Sequence, residues 1–233
     1  MREIVFDTET TGLDPYQGHR LIEIGCIELV NRFPTGQTFH RHLNPERDVP
    51  AEAFAIHGLS YDFLRSQPVF ADIAVDLLVF VGDAPLIAHN ASFDLGFLNA
   101  EFERIKQAAI PRDRLIDTLQ LARRKYPGSS NRLDDLCARF GIDNSRRTKH
   151  GALLDAELLA EVYVELIGAR QAQLGLVAVT AAPITVSNFN IPLKTRPIPL
   201  PLRVTDIERA AHRALVAELG VKAIWNDYHP SNG

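Results

Sequence analysis

Carboxylates recur in this chain at spacings suited to metal chemistry. The stretch FDTETTG (6–12) places Asp7 and Glu9 two residues apart, directly after the apolar run Ile4–Val5–Phe6. On a strand, residues two apart point to one face, and two like charges so placed are costly unless a cation sits between them. The stretch AHNASFDLGFL (88–98) sets Asp94 in the first turn of a helix, just after a short strand. The stretch HGALLDAELLA (150–160) puts Asp155 among Leu153, Leu154, Leu158 and Leu159, with His150 ahead of the helix. Each acid also has a plainer reading. Asp7 and Glu9 suit a solvated strand end before a turn, Asp94 suits the positive end of a helix dipole, and Asp155 suits an exposed polar face shared with Glu157 and Glu161.

Taken together, four carboxylates from three segments can hold two divalent ions about 3.5–4 Å apart. Oxygen-only ligands favour Mg2+ or Mn2+ over Zn2+. Imidazoles ordinarily titrate near neutrality, about 6.5, which makes His150 the general-base candidate beside such a cluster.

The elements that must position these groups follow from periodicity. Residues 2–7, 21–30 and 37–45 read as strands of an antiparallel meander joined by short connections. The period then changes. Pro68 suits the first turn of a helix whose stripe is Ile73, Ala74, Leu77, Leu78 and Val81. Short strands are expected at 85–90 and 114–118, and helices at about 92–106, 117–125, 131–140 and 151–169. Asp117, at a strand-to-helix junction, reads as a helix cap. The fold class is therefore α/β, a mixed sheet with helices packed on it.

The chain has 233 residues, 46% hydrophobic and 23% charged, with a formal net charge of −4. That charge provides no global basic field for nucleic acid but leaves room for a local one. No apolar run reaches the roughly 18–20 residues needed to span a bilayer, and the N-terminus has no signal-type core. Cys26 and Cys137 lie far apart without metal-type spacing, so reduced thiols and a cytoplasmic location are expected, with no membrane partner. Residues 171–203 contain five prolines and no clear period, as a linker would. A helical stripe returns in 204–225, with Thr205 as N-cap and a face of Ile207, Ala211, Leu215 and Leu219. A helix of that size has no core of its own and is expected to dock onto a partner.

The three acidic stretches, in this order, resemble the motifs of the DEDD exonuclease superfamily. His150, five residues before Asp155, matches the histidine subclass; Gly151 stands where the tyrosine subclass has its tyrosine. The resemblance spans residues 2–169. It implies an RNase H-like fold and metal-dependent 3′→5′ exonuclease activity, with Asp7, Glu9, Asp94 and Asp155 as ligands of two ions and His150 as catalytic base. In the same superfamily a segment similar to PAEAFAIHGLS (50–60) holds the 3′-terminal nucleotide. By that match Glu52 and His57 join Asp7, Glu9 and Asp155 in binding substrate; His57 also reads as a turn residue before Gly58. Phe93 suits either the bases or the core. Arg146, Arg147 and Lys149, next to His150, suit either phosphates or a solvated basic loop.

Residues 116–163, above all SRRTKHGALLDAELLAEVY, are similar to the epsilon subunits of bacterial DNA polymerase III, a proofreading branch of that superfamily. The resemblance implies DNA with a 3′ end as substrate and the polymerase's catalytic alpha subunit as partner. It implies three parts: an exonuclease domain (1–170), a flexible linker (171–203) and a polymerase-binding segment (204–233) that includes Trp225. The stretch QLGLV (173–177) resembles a sliding-clamp peptide, with Gln173 at the rim and Leu176 and Val177 in the cleft. Leu174, Leu176 and Val177 would otherwise close the last helix onto the core. A small accessory subunit on the nuclease domain remains open, as does a free-standing relative acting on RNA ends, although such an enzyme needs no linker and docking helix.

Overall fold

A computed structural model describes residues 1–169, 204–220 and 224. The chain divides into an N-terminal and a C-terminal unit, each treated by itself. Gln173, Leu176, Val177, the rest of the expected linker and Trp225 lie outside the described residues.

The N-terminal unit is built on a five-stranded sheet: β1 (Arg2–Thr10), β2 (Leu21–Val30), β3 (Phe33–His42), β4 (Leu86–Ala88) and β5 (Leu115–Asp117). Their spatial order is β3-β2-β1-β4-β5. The first three strands form an antiparallel meander, and β4 and β5 run parallel to β1. The expected mixed sheet is therefore present, with two shifts in strand bounds. β1 runs on to Thr10, because its ladder with β2 continues through Asp7↔Gly25 and Glu9↔Glu23. Asp7 and Glu9 thus stand inside a paired strand and not at its end. β3 begins at Phe33, four residues before the expected start. Asn31 and Arg32, with φ of 52° and 73°, turn the chain in two residues. Positive φ at both turn positions matches the twist of the flanking strands, and Arg is not a residue that advertises it.

Helices cover both faces of the sheet: α1 (Ala51–His57), α2 (Tyr61–Leu64), α3 (Phe70–Val81), α4 (Ser92–Arg104), α5 (Thr118–Lys125), α6 (Leu133–Phe140) and α7 (Ala152–Leu166). Ile4, Phe6, Ile24 and Cys26 pack against α3 and α4, while Val5, Ile27 and Ile87 pack against α5, α6 and α7. The alternation along β1 places Asp7 and Glu9 on the face of Val5, the face that α7 crosses. Asp117 caps α5 as expected, accepting hydrogen bonds from the N–H of Leu119 (2.9 Å) and Gln120 (3.4 Å). Both cysteines are buried, unpaired thiols.

In the C-terminal unit, α8 (Asp206–Leu219) has the expected Thr205 cap. Thr205 Oγ accepts from the Glu208 N–H, and the Glu208 carboxylate accepts from the Thr205 N–H at 2.8 Å, a reciprocal box. None of its side chains is buried. Among the described residues no helix is long and apolar enough to cross a membrane.

Candidate active site

Three elements bring the four acids to one cleft of about 1010 Å³, lined by Asp7, Glu9, Asp94, Arg147, His150 and Asp155. β1 supplies Asp7 and Glu9. The turn after β4 delivers Asp94 on the first turn of α4, and α7 supplies Asp155. Two devices set the positions of these helices. Arg20 grips Glu101 on α4 through two hydrogen bonds (2.7 and 2.9 Å), and Glu101 also accepts from the Leu21 N–H. Gly25, paired with Asp7 across the ladder, lets the start of α7 lie directly on the sheet. A Cβ there would stand 2.3 Å from the Leu153 nitrogen. Asp155 reaches the β1 acids because β2 has no side chain at that point.

Asp94 and Asp155 are each only 3% exposed and Glu9 9%. Burial, reinforced by Asp94, Asp155 and Glu9, pushes the Asp7 carboxyl well above its ordinary range. Glu9 is pushed up to about 8, by burial first and then by Asp155 and Glu23. Burial lifts Asp94 to about 7, although the Thr8 hydroxyl donates to Asp94 Oδ1 at 2.6 Å and works against that rise. Asp155 goes the other way. Burial is the largest single influence and would raise it, yet the Arg147 guanidinium, with His150 beside it, holds it below the usual carboxylate range.

The cause is Arg147. Its guanidinium clasps Asp155 through Nε (2.5 Å) and Nη2 (2.7 Å), reaches Asp134 through Nη1 (2.7 Å), and donates to His150 Nδ1 at 2.8 Å. The basic loop is therefore neither simply solvated nor simply a phosphate lure. Lys149 Nζ donates to the Ala55 carbonyl (2.6 Å) and the His150 N–H to the Ile56 carbonyl (3.3 Å), which ties the loop to the C-terminal end of α1. Cations suit that end of a helix. His150 itself is exposed, with Nδ1 3.3 Å from Asp155 Oδ2.

α1 and α2 were not anticipated from periodicity, because Phe54, Ile56, Tyr61 and Phe63 are exposed and supply no core-facing repeat. α1 places Glu52 and His57 in an adjoining cleft that shares Thr8, Glu9 and Phe93 with the first. Gly58, with φ of 74°, ends the helix in the left-handed region that favours glycine. His57 is buried. Its Nδ1 accepts from the Leu59 N–H at 3.0 Å, so the proton of the neutral ring sits on Nε2, which has no partner among the described residues. Phe93 is half-buried, packs 5.0 Å from Phe97 as the core reading expects, and walls both clefts. Thr8, Gly25 and Arg147 were missed as site residues. Arg147 stood in view beside His150, but nothing in its spacing pointed to Asp155.

The family model described as exonuclease matches residues 4–163. A DNA polymerase III subunit epsilon of Rickettsia conorii is 48% identical over 222 residues, covering 94% of this chain and 96% of that protein. Its namesake from Escherichia coli is 41% identical over 246 residues, covering 96% and 97%. The chain belongs to the exonuclease family, in its DNA polymerase III epsilon branch. Among solved structures, the nuclease domain of 3′hExo, a DEDDh family member bound to rAMP, matches with a TM-score of 0.62 at 19% identity, over 72% of this chain and 92% of that one. Exonuclease X in complex with 5′ overhanging duplex DNA gives 0.56 at 22%, over 71% and 91%. These likenesses concern the fold, which is RNase H-like as the resemblance implied. The activity of this exonuclease is phosphodiester hydrolysis from the 3′ end, and its family depends on divalent metal.

Proposed function

We propose that this proofreading exonuclease works with Asp7, Glu9, Asp94 and Asp155 as ligands of two Mg2+ or Mn2+ ions and with His150 as general base. One observation carries the reading. Four carboxylates converge in one cleft, and the carboxyl pKa values of three of them are driven upward. Such a set is strained by burial and mutual repulsion until cations enter, and its donors are all oxygen. Bound there, the ions would stabilise charge on the attacking and leaving oxygens of the phosphodiester.

The rest falls to the chain. Arg147 holds His150 Nδ1 by hydrogen bond, so His150 accepts a proton there once that donor is exchanged for the attacking water. The ring lies on an exposed loop braced against α1. In the adjoining cleft, the unpartnered Nε2–H of His57 suits an acceptor on the terminal nucleotide, with Glu52 beside it and Phe93 as the dividing wall. Degradation of a 5′-labelled DNA primer, matched or mismatched at its 3′ end, tests this. Cleavage is expected with Mg2+ or Mn2+, faster at a mismatch, and none in EDTA. Cleavage surviving both EDTA and Asp155→Ala overturns the metal assignment.

The partner we propose for residues 204–233 is the alpha subunit of the polymerase. Support comes from the name of the relatives, whose likeness runs through 94% of this chain, and from α8, which buries none of Ile207, Leu215 and Leu219. Truncation at about residue 200 is expected to keep exonuclease activity and lose co-purification with that subunit. Retained co-purification would move the contact into the nuclease domain.

A further inference from the structure

A second convergence of ligand-type side chains lies one strand beyond the acids. β3 carries His40 and His42 two residues apart, so both imidazoles leave the same face of the sheet. In the β2–β3 ladder His42 stands opposite Glu23 and His40 opposite Gly25. Both rings turn toward one oxygen: Nε2 of His40 lies 2.7 Å, and Nε2 of His42 3.5 Å, from Glu23 Oε1. One ligand atom from each of the three residues falls within 4.8 Å of the other two. The ring positions are set by packing, since His40 and His42 meet edge-on at 4.8 Å and His42 meets Phe63 of α2 edge-on at 5.1 Å.

Burial divides the cluster. The Glu23 side chain is 7% exposed, whereas the imidazoles are 34% and 26% exposed. The carboxylate is thus enclosed and the imidazole side is open to water. Its ion-pair partners are these two histidines. The separations also fit a metal. Bonds of about 2.0–2.1 Å in a tetrahedral zinc site place neighbouring ligand atoms about 3.3 Å apart. The two spacings to Glu23 fall on either side of that value.

We propose that Glu23, His40 and His42 bind a borderline divalent transition-metal ion, Zn2+ in particular, with water in the fourth position. Two imidazoles and one carboxylate select Zn2+ over Mg2+, the reverse of the all-oxygen set on β1, β4–α4 and α7. The ion would bridge β2 to the edge strand β3 and, through the His42–Phe63 contact, steady α2. Its three ligands are distinct from the four acids, although Glu23 stands opposite Glu9 in the β1–β2 ladder, and the proposal does not depend on the assignment of those acids.

Co2+ is the spectroscopic probe, added to the full chain in excess Mg2+ so that the oxygen site is already filled. The expected result is one equivalent of Co2+ with the intense visible bands of low-coordinate cobalt, displaced by Zn2+, and a Zn2+-dependent rise in melting temperature. In His40→Gln/His42→Gln, each amide keeps an N–H toward Glu23 but offers no imidazole nitrogen. The bands and the Zn2+ effect should both vanish, while Mg2+-supported cleavage stays at the parental rate. Asp155→Asn should retain the bands. Should the double variant fold poorly, His42→Tyr keeps a ring against Phe63 and is expected to lose the same two signals. Absence of the bands from the parent protein, their persistence in the glutamine or tyrosine variant, or their loss in Asp155→Asn overturns the proposal.

Discussion

Replacing Arg147 by alanine should destabilise the metal-free enzyme far more than the metal-loaded one. Arg147 and Asp155 form a nearly dry pair, with side chains 9% and 4% exposed. Removing one partner of a buried pair costs about 3–5 kcal/mol, because the other charge is left unpaired. Asp155 has an escape by protonation. For a carboxyl of ordinary pKa, about 3.9, that costs roughly 4 kcal/mol at pH 7, which caps the loss at a similar figure. The cleft admits water, so a loss of about 3 kcal/mol is the expected value in EDTA. The sign with pH follows from the depressed carboxyl of Asp155. A depressed acid contributes stability that is full above the unfolded pKa and is lost as pH falls through the folded one. The gap between parent and variant should therefore be wide at pH 7 and close in acid. Saturating Mg2+ should also narrow it, since a divalent cation then faces Asp155 in place of the guanidinium. Urea denaturation at pH 7, with EDTA or with Mg2+, reads all of this. Equal losses in the two conditions, or no loss in EDTA, would refute the view that Arg147 is the counter-charge of the acid cluster when metal is withheld.

Asp7→Ala should abolish cleavage yet hold or raise the melting temperature in EDTA, because it removes one of several crowded acidic groups; a large drop would show a structural role instead. For the parent in EDTA, the raised carboxyls of Glu9 (about 8) and Asp94 (about 7) mean that the folded state binds more protons than the unfolded one between about pH 4 and 8. Stability should fall as pH rises through that window, and a melting curve that instead climbs would contradict the burial described here. His150→Ala should keep metal binding and lose cleavage by roughly 10²–10⁴-fold, with partial recovery at higher pH; a rate near the parent's at neutral pH removes the base assignment. Gly25→Ala puts a methyl group 2.3–2.4 Å from the backbone of Ala152 and Leu153. Overpacking of that kind costs about 1–3 kcal/mol, and a shift of α7 by about 1 Å would slow cleavage on the order of 100-fold. Parental stability and rate together would mean that α7 does not rest on Gly25.

The residues proposed to do the chemistry were legible in the sequence because their constraints are local. The period-2 spacing of Asp7 and Glu9 set them on one face, the first-turn position of Asp94 and the helical place of Asp155 follow from short-range pattern, and so do the caps at Asp117 and Thr205. The alternation of apolar runs also specified a mixed sheet with helices on it. Beyond the convergence of the acids, what escaped were features that depend on residues distant in the chain. The length of β1 was decided by its partner strand, since Glu9 stays in the ladder through Glu23. The short α1 and α2 bury little apolar surface, so periodicity could not announce them, and they are held instead by contacts such as the Lys149 and His150 hydrogen bonds to α1. Arg147 read as one basic residue among three until the fold set it against Asp155, Asp134 and His150. Gly25 read as a strand residue until α7 was seen to lie across it. Local sequence sets which way a side chain points along its own element, whereas its electrostatic partner and the closeness of a crossing helix are properties of two segments at once, and only tertiary packing brings those segments together.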